Sequence, residues 1–195
     1  MPPRRVISFT GLAGSGKTTA ANMLCLQEGY YEPQLPSLKY RSNAVRLSLA
    51  APLKGLCVRA FPWLDPSVFT GTQEQKEAPI LDVPDGWSGR RILQHIGTEG
   101  FRAIDPNIWV RTALHTIQTL PAHIKLVVVD DVRFENERAA LAEYGPVYRI
   151  VRPGLQASTH ASEAAVTSLK VTAEIINDKT LLEFNEIIRA LHAES

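Results

Sequence analysis

The stretch GLAGSGKT, residues 11–18, matches the pattern G-x-x-x-x-G-K-[ST], which joins a strand to a helix through a glycine-rich turn. The glycines let successive backbone N–H groups point at phosphate oxygens, and the helix adds its positive N-terminal end. Lys17 can reach the β- and γ-phosphates, and Thr18 can offer its hydroxyl to Mg²⁺. The stretch therefore predicts a phosphate cradle for ATP, with contacts from Gly11, Ala13, Gly14, Ser15, Gly16, Lys17, Thr18 and Thr19.

This motif specifies a nucleotide but not a reaction. The N-K-x-D and D-x-x-G patterns of GTPases do not occur in the sequence, nor does the L-S-G-G-Q signature of transporters. The small-molecule kinases are chiefly what remains. A regulatory nucleotide-binding module that turns over slowly or not at all is the alternative from another class of protein.

The bulk composition describes an ordinary globular chain. The 195 residues are 45% hydrophobic and 21% charged, with a formal net charge of +1, which fits one domain over 1–195. Since there is no broad basic field, we expect neither a nucleic acid polymer nor a membrane as a partner. The two cysteines lack metal-site spacing, which favours a reducing, cytoplasmic location. A homodimer is left open.

Five apolar segments alternate with helical patterns along the chain. We expect strands over 6–10, 45–50, 126–129, 147–151 and 171–176. The alternation predicts an α/β fold of three layers, a five-stranded parallel sheet flanked by helices. Residues 30–45 and 62–89 show little regular pattern and are expected to be loops. Ligands of such sheets bind at the carboxyl ends of the strands, where the cradle lies.

A second group of polar residues follows the apolar run 126–129. Asp130 and Asp131 come directly after it, and Arg133 follows. A carboxylate at the end of a buried strand beside the cradle can hold Mg²⁺ or orient the attacking oxygen, and Arg133 can pair with phosphate. We assign Asp130 to the metal and Asp131 and Arg133 to catalysis, without deciding which aspartate is the functional one. The alternative is that an aspartate caps the next helix and pairs locally with Arg133.

Candidate residues for a second, phosphate-bearing substrate lie between 52 and 120. Arg91 and Arg102 are eleven residues apart, so an α-helix would present both on one side to grip a monophosphate. A local salt bridge is the alternative for each arginine. Lys54 is a further candidate for the phosphate, or alternatively a solvated helix lysine. Gln94 is a candidate for a base edge, and Thr98 and Glu99 are candidates for sugar or base. Trp109 is a candidate for stacking, or alternatively for core packing.

Taken in order, several segments resemble the bacteriophage deoxynucleoside monophosphate kinases. The resemblance runs through residues 11–18, 51–54, 91–99, 102, 109, 131–137 and 160–163, and so spans nearly the whole chain. It implies a P-loop kinase core with a five-stranded parallel sheet, an acceptor-binding helical insert at about 52–120 and a mobile lid at about 152–166.

The resemblance also implies an activity and further site residues. It implies transfer of the ATP γ-phosphate, with Mg²⁺, to a deoxynucleoside monophosphate, in the host cytoplasm if the chain is phage-encoded. Arg152 of the lid would stabilise transition-state charge, Glu163 would lie with the substrate, and Asn177 falls where related kinases hold adenine. Kinases of phosphomevalonate, dephospho-coenzyme A or sugar acids are the nearest alternatives.

Overall fold

The computed structural model describes residues 4–27, 30–31, 43–81, 83–156 and 161–193. The chain divides into two compact units. One comprises the chain up to Leu49 and from Thr112 onward, and the other comprises Ala50–Arg111. The predicted helical insert, at about 52–120, starts close to the beginning of the second unit. It ends beyond Arg111, the last residue of that unit.

A parallel sheet organises the first unit. Five strands of four or more residues build it, as predicted, and every strand pair is parallel. A sixth strand of two residues lies at one edge, inside the segment 30–45 that was expected to be a loop. The strands are β1 (Arg5–Thr10), β2 (Tyr30–Tyr31), β3 (Ala44–Leu47), β4 (Leu126–Val132), β5 (Val147–Val151) and β6 (Ala173–Ile176), in the spatial order β2-β3-β4-β1-β5-β6.

Ten helices are found among the described residues. They are α1 (Lys17–Gln27), α2 (Ala51–Ala60), α3 (Ser67–Thr70), α4 (Gln73–Glu77), α5 (Gly89–Gln94), α6 (Arg102–Ile104), α7 (Ile108–Thr119), α8 (Glu135–Ala142), α9 (Ala161–Ser168) and α10 (Leu181–Ala193). No helix in the described ranges combines the length and apolar character that a membrane span requires.

Alternation along β4 explains how both faces of the sheet are covered. Leu126 and Val128 belong to a buried cluster that includes Leu24 of α1 and Phe184 of α10. Val127 and its neighbours on the opposite face are fully buried as well. A continuously apolar strand is typical of a parallel sheet buried on two sides. The α/β fold predicted from the alternation of strands and helices is confirmed.

The N-terminal end of β1 is tied to the ends of two helices. Arg4 Nη1 donates to the Ile117 carbonyl in α7 at 2.7 Å, and Arg5 Nη2 donates to the Leu191 carbonyl in α10 at 2.7 Å. The last carbonyls of a helix have no partner within it, so these arginines act as C-terminal caps.

The second unit has its own apolar cluster, built around Leu53, Cys57, Phe69 and Ile92. The segment 62–89, expected to be a long loop, instead contains α3, α4 and a short 3₁₀ turn, so that expectation is wrong. These helices are too short to show a repeating apolar pattern in the sequence. The helical region that follows is interrupted after Ile104, where α6 ends, and resumes at Ile108, where α7 begins.

Candidate functional site

The loop of residues 11–16 leaves the carboxyl end of β1 and enters α1 at Lys17. Gly16 has φ +108°, and a Cβ added there would lie 2.5 Å from Asn177 Nδ2. Gly11 has φ +143°, and a Cβ there would lie 2.4 Å from the Ile150 carbonyl oxygen. Both positions therefore require glycine, for conformation and for space. The pattern matched in the sequence folds into a strand–turn–helix at the sheet edge, where ligands of such sheets bind.

The ammonium group of Lys17 is held inside this turn. Its Nζ donates to the Gly11 carbonyl at 2.8 Å and to the Leu12 carbonyl at 2.6 Å. Lys17 as a whole is only 9% exposed. A buried ammonium with carbonyl partners is positioned to exchange one of them for a phosphate oxygen, which is a stronger, charge-assisted acceptor.

A cavity of about 400 Å³ opens over the start of α1. Lys17, Thr18 and Thr19 line it from the helix, and Arg152 lines it from the end of β5. Lysine and arginine side chains on one cavity suit a polyanion such as a nucleotide phosphate chain. The structure thus brings Arg152, which the resemblance had placed in a lid, to the same cavity as Lys17.

The far side of the cavity comes from the segment after β6. Asn177 lines it together with Lys179 and Phe184. The sequence analysis identified Asn177 but missed Lys179 and Phe184. Thr180 and Glu183 form a capping box at the start of α10, but such a box locates a helix start and does not indicate which neighbouring residues line a cavity.

Asp130 lies beside the hydroxyl of Thr18. Thr18 Oγ1 donates to Asp130 Oδ2 at 2.9 Å, and Asp130 is 5% exposed. Mg²⁺ prefers oxygen ligands and in kinases takes one or two from the protein and the rest from phosphates and water. No cluster of three or more acidic, histidine or cysteine ligands occurs in the described ranges. A hydroxyl and a carboxylate at this distance fit a magnesium ion shared with substrate phosphates.

Asp131 points to the opposite face of β4, as alternation requires. Its Oδ2 accepts from Ser48 Oγ at 2.6 Å and its Oδ1 accepts from the Leu49 amide at 2.6 Å. Both carboxylate oxygens therefore hold the chain just after β3. The geometry favours Asp130 over Asp131 as the carboxylate of the cradle and gives Asp131 a local anchoring role.

Arg133 lies at the start of α8 and is not among the residues lining the cavity. Its backbone N–H donates to Glu137 Oε2 at 2.9 Å, and that of Phe134 donates to the same oxygen at 3.1 Å. These bonds satisfy N–H groups at a helix start. The alternative kept for this segment in the sequence analysis was a cap from an aspartate, whereas in the structure Glu137 provides the cap.

Arg91 is held by two partners in the second unit. Its guanidinium carbon lies 4.3 Å from the centroid of the Trp87 ring, and its Nη1 donates to the Asp85 carbonyl at 3.2 Å. Such a cation–π contact fixes the plane of the guanidinium group. Trp87 was missed in the sequence analysis, because nothing in the spacing marks which aromatic ring an arginine covers.

The expectation that one α-helix carries both Arg91 and Arg102 is wrong. Between them, residues His95–Phe101 form a π-helical segment. Each π-helical residue turns about 20° less than an α-helical one, so seven of them rotate Arg102 by roughly a third of a turn from the expected face. A π-helix cannot be distinguished from an α-helix by composition, which is why the error arose.

The remaining acceptor candidates lie on the same helical region. Trp109 Nε1 donates to the Gly97 carbonyl at 3.1 Å, and its ring packs against Phe101. These contacts match the core-packing alternative for Trp109. Glu99 Oε2 lies 2.5 Å from His95 Nδ1.

Five other candidates complete the account. Lys54, Gln94, Thr98 and Arg102 are half-buried. The side chain of Glu163 lies outside the described part of the structure, although its backbone belongs to α9.

Known proteins were compared with this chain. The profile of the family described as deoxynucleotide monophosphate kinase matches residues 64–188. None of the curated proteins compared with the sequence matches it.

Several solved structures resemble the fold at a distance. TT1252 from Thermus thermophilus is 19% identical over 98% of both chains, with a TM-score of 0.48. A shikimate kinase from Acinetobacter baumannii is 12% identical over 97% of this chain and 91% of its own, with a TM-score of 0.48. An APS kinase mutant from Mycobacterium tuberculosis is 14% identical over 99% and 100%, with a TM-score of 0.45. Because the family profile covers more than half of the sequence, the chain belongs to the deoxynucleotide monophosphate kinase family.

Proposed function

We propose that this kinase transfers the γ-phosphate of ATP to a deoxynucleoside monophosphate, giving ADP and the deoxynucleoside diphosphate. One observation carries the proposal: Lys17, Thr18 and Arg152 line a single cavity, and Thr18 is hydrogen-bonded to the buried carboxylate of Asp130. Membership of the family supports a monophosphate as the acceptor.

ATP binding begins with the loop of residues 11–16. Its backbone amides surround the β-phosphate, and the N-terminus of α1 adds a favourable dipole. Lys17 Nζ, which donates to two loop carbonyls, turns to the β- and γ-phosphate oxygens. Asn177 and Phe184 line the part of the cavity that the rest of the nucleotide enters.

Thr18 and Asp130 would hold Mg²⁺ through their oxygens. When bound, the ion neutralises charge on the β- and γ-phosphates. The protein's own part is to keep the hydroxyl and the carboxylate in place, and the 2.9 Å hydrogen bond between them does so.

Arg152 stabilises the phosphoryl group as it moves. Its side chain reaches the cavity from the end of β5, and a guanidinium group can follow charge that spreads over the equatorial oxygens in the transition state. Transfer is direct, because the acceptor oxygen is itself a phosphate oxygen and needs no enzyme nucleophile. Asp131 and Arg133, near the carboxyl end of β4, remain proposed catalytic residues.

The second unit supplies the acceptor-binding residues. Arg91, preset by Trp87 and Asp85, grips the phosphate of the monophosphate, with Lys54 and Arg102 as further cations. A fork that is already oriented loses less entropy on binding than a mobile lysine does. The polar side chains proposed to contact the nucleoside are Gln94, Thr98, Glu99 and Glu163, with Trp109 supporting them.

A coupled assay of ADP release tests this function. Mg-ATP is supplied with a panel of deoxy- and ribonucleoside monophosphates, with shikimate and a sugar acid as comparison acceptors. We expect at least one deoxynucleoside monophosphate to raise the rate far above that with ATP alone. A rate that no monophosphate raises would refute the proposal. Stimulation by a comparison acceptor alone would identify another kinase, and tight ATP binding without any stimulation would identify a binding module.

A further inference from the structure

Arg46 places a positive charge beside the carboxylate of Asp130. Arg46 Nε lies 3.9 Å from Asp130 Oδ2, and the two side chains are 29% and 6% exposed. Neither the motif in the sequence nor the proposed mechanism uses Arg46. A cation this close to the carboxylate of the cradle needs an explanation, because it competes for the same negative charge that attracts a metal ion.

The sheet register explains the approach of the two side chains. Arg46 of β3 pairs with Val128 of β4, and Asp130 is two residues beyond Val128. Side chains two apart on a strand share a face, so Arg46 and Asp130 both project toward α1.

Helix α1 holds the arginine from its other side. Arg46 Nη1 donates to Asn22 Oδ1 at 2.7 Å. Asn22 is four residues after Thr18, which puts both on one side of α1. Thr18, Asp130, Arg46 and Asn22 thus form a ring of contacts through three elements.

Arg46 acts on Asp130 through charge rather than through a short hydrogen bond. The separation of 3.9 Å exceeds hydrogen-bonding distance, and the orientation of the carboxylate is set by Thr18 at 2.9 Å. A buried carboxylate without a nearby cation is costly. In the absence of a metal ion, the guanidinium group of Arg46 offsets the negative charge of the Asp130 carboxylate.

We propose that Arg46 is a positioning residue that sets how strongly nucleotide binding depends on Mg²⁺. Arg46 stabilises the cradle when no metal ion is present and repels the metal ion when it binds. It therefore reduces the difference in nucleotide affinity between the two conditions. This inference rests on the proposed Mg-nucleotide site.

The dissociation constant of ADP, measured by calorimetry with Mg²⁺ and with EDTA, tests the inference. In Arg46→Gln, ADP should bind more weakly in EDTA and at least as tightly with Mg²⁺. The ratio of the two constants should rise about tenfold, the change that about 1.4 kcal/mol of lost repulsion produces. Arg46→Lys keeps the charge and should leave the ratio near that of the unsubstituted protein.

Arg149→Gln is the matched control. Arg149 also lies on a strand and pairs with an acidic residue, Glu174, and it is not among the residues that line the cavity. Its substitution should leave the ratio unchanged. If Arg46→Gln does not fold, Asn22→Ala frees the guanidinium group from α1 and should raise the ratio by a smaller factor.

The outcomes separate this inference from the function beneath it. An equal change of ADP affinity in Mg²⁺ and EDTA for Arg46→Gln, or an unchanged ratio in both Arg46→Gln and Asn22→Ala, overturns the role of Arg46. If the unsubstituted protein itself binds ADP identically with and without Mg²⁺, the proposed metal site fails, and the inference fails with it.

Discussion

The side-chain amide of Asn177 donates a hydrogen bond of 2.8 Å to the main-chain carbonyl of Ser15, across 162 residues of sequence. The backbone N–H of Asn177 in turn donates to the Val151 carbonyl at 2.8 Å. The side-chain amide of Asn177 also occupies the space that a side chain at position 16 would need. Asn177 therefore braces the phosphate loop from the end of β6, which is a role for its side chain that the sequence analysis did not foresee.

We expect Asn177→Ala to raise KM for ATP about tenfold while changing KM for the monophosphate little. Without the brace, the loop must become ordered when ATP binds, and the entropy lost weakens binding. Steady-state kinetics with each substrate varied in turn gives both constants. Thr180→Ala, which alters the neighbouring helix cap only, is the control, and a similar effect on KM for ATP there would argue against a specific brace.

The adjacent carboxylates of β4 should respond differently to the same substitution. Asp130→Asn should reduce Mg-dependent activity at least a hundredfold, since it weakens a metal ligand. Asp131→Asn should instead lower the free energy of unfolding by about 1–3 kcal/mol, because a charge-assisted anchor of Ser48 and Leu49 is lost. Denaturant unfolding and activity assays on both variants separate these effects. If Asp131→Asn loses the activity and Asp130→Asn lowers only the free energy of unfolding, Asp131 is the catalytic carboxylate instead.

Lys17→Ala should reduce kcat at least a hundredfold, since it removes a cation that stabilises the transferred phosphoryl group. Lys54→Ala, a lysine-to-alanine change in the second unit, should raise KM for the monophosphate and leave KM for ATP unchanged. Circular dichroism establishes that each variant is folded. Equal effects of the two substitutions on both substrates would contradict the proposed division of roles.

Arg91 and Trp87 should behave as a coupled pair. Arg91→Ala should raise KM for the monophosphate by about 10- to 100-fold, as loss of a charge-assisted phosphate contact does. Trp87→Leu keeps apolar bulk but removes the ring under the guanidinium group, and should raise the same constant severalfold. The double variant should resemble Arg91→Ala alone, because the ring acts through the arginine. Fully additive effects would contradict that interpretation.

The buried thiol of Cys25 should influence stability at high pH. Burial raises its pKa from 9.0 to about 12, with Arg46 opposing and Asp130 reinforcing the shift. The folded state therefore holds this proton more tightly than the unfolded state does. The resulting stabilisation is complete below pH 9.0 and is lost as the pH rises toward 12. The melting temperature should fall over this interval, and it should fall less steeply in Cys25→Ala. Parallel curves for the two proteins would contradict the assignment.

Local sequence was enough to predict the strand, turn and helix around residues 11–16. A glycine pattern, an apolar strand before it and a helix after it are all contiguous, and the carboxyl end of β4 was identified for the same reason. The strand register was not predictable at the level of side chains. Arg46 became visible as a neighbour of Asp130 only once β3 was paired with β4, because that contact joins residues far apart in sequence.

Helix type and short helices were the other limits. The sequence 95–101 has nothing that distinguishes i→i+5 from i→i+4 hydrogen bonding, so a single α-helix was assumed between Arg91 and Arg102 where the structure has a π-helical segment. In the segment 62–89, packing of Phe69 into the apolar cluster stabilises the four-residue helix α3, and a capping box between Thr72 and Gln75 stabilises the five-residue helix α4. Intrinsic propensity alone does not predict helices this short.

The second unit, Ala50–Arg111, is one unbroken stretch of chain, whereas the first unit is assembled from two stretches. The strand β4 lies between β3 and β1 and belongs to the later stretch. During synthesis from the N-terminus, the apolar cluster of the second unit can be complete while β1 and β3 still lack the strand that joins them. On the ribosome, the middle of this kinase is therefore expected to fold before its core sheet, and the exposed edges of β1 and β3 are the chain's vulnerable surfaces until residue 132 has emerged.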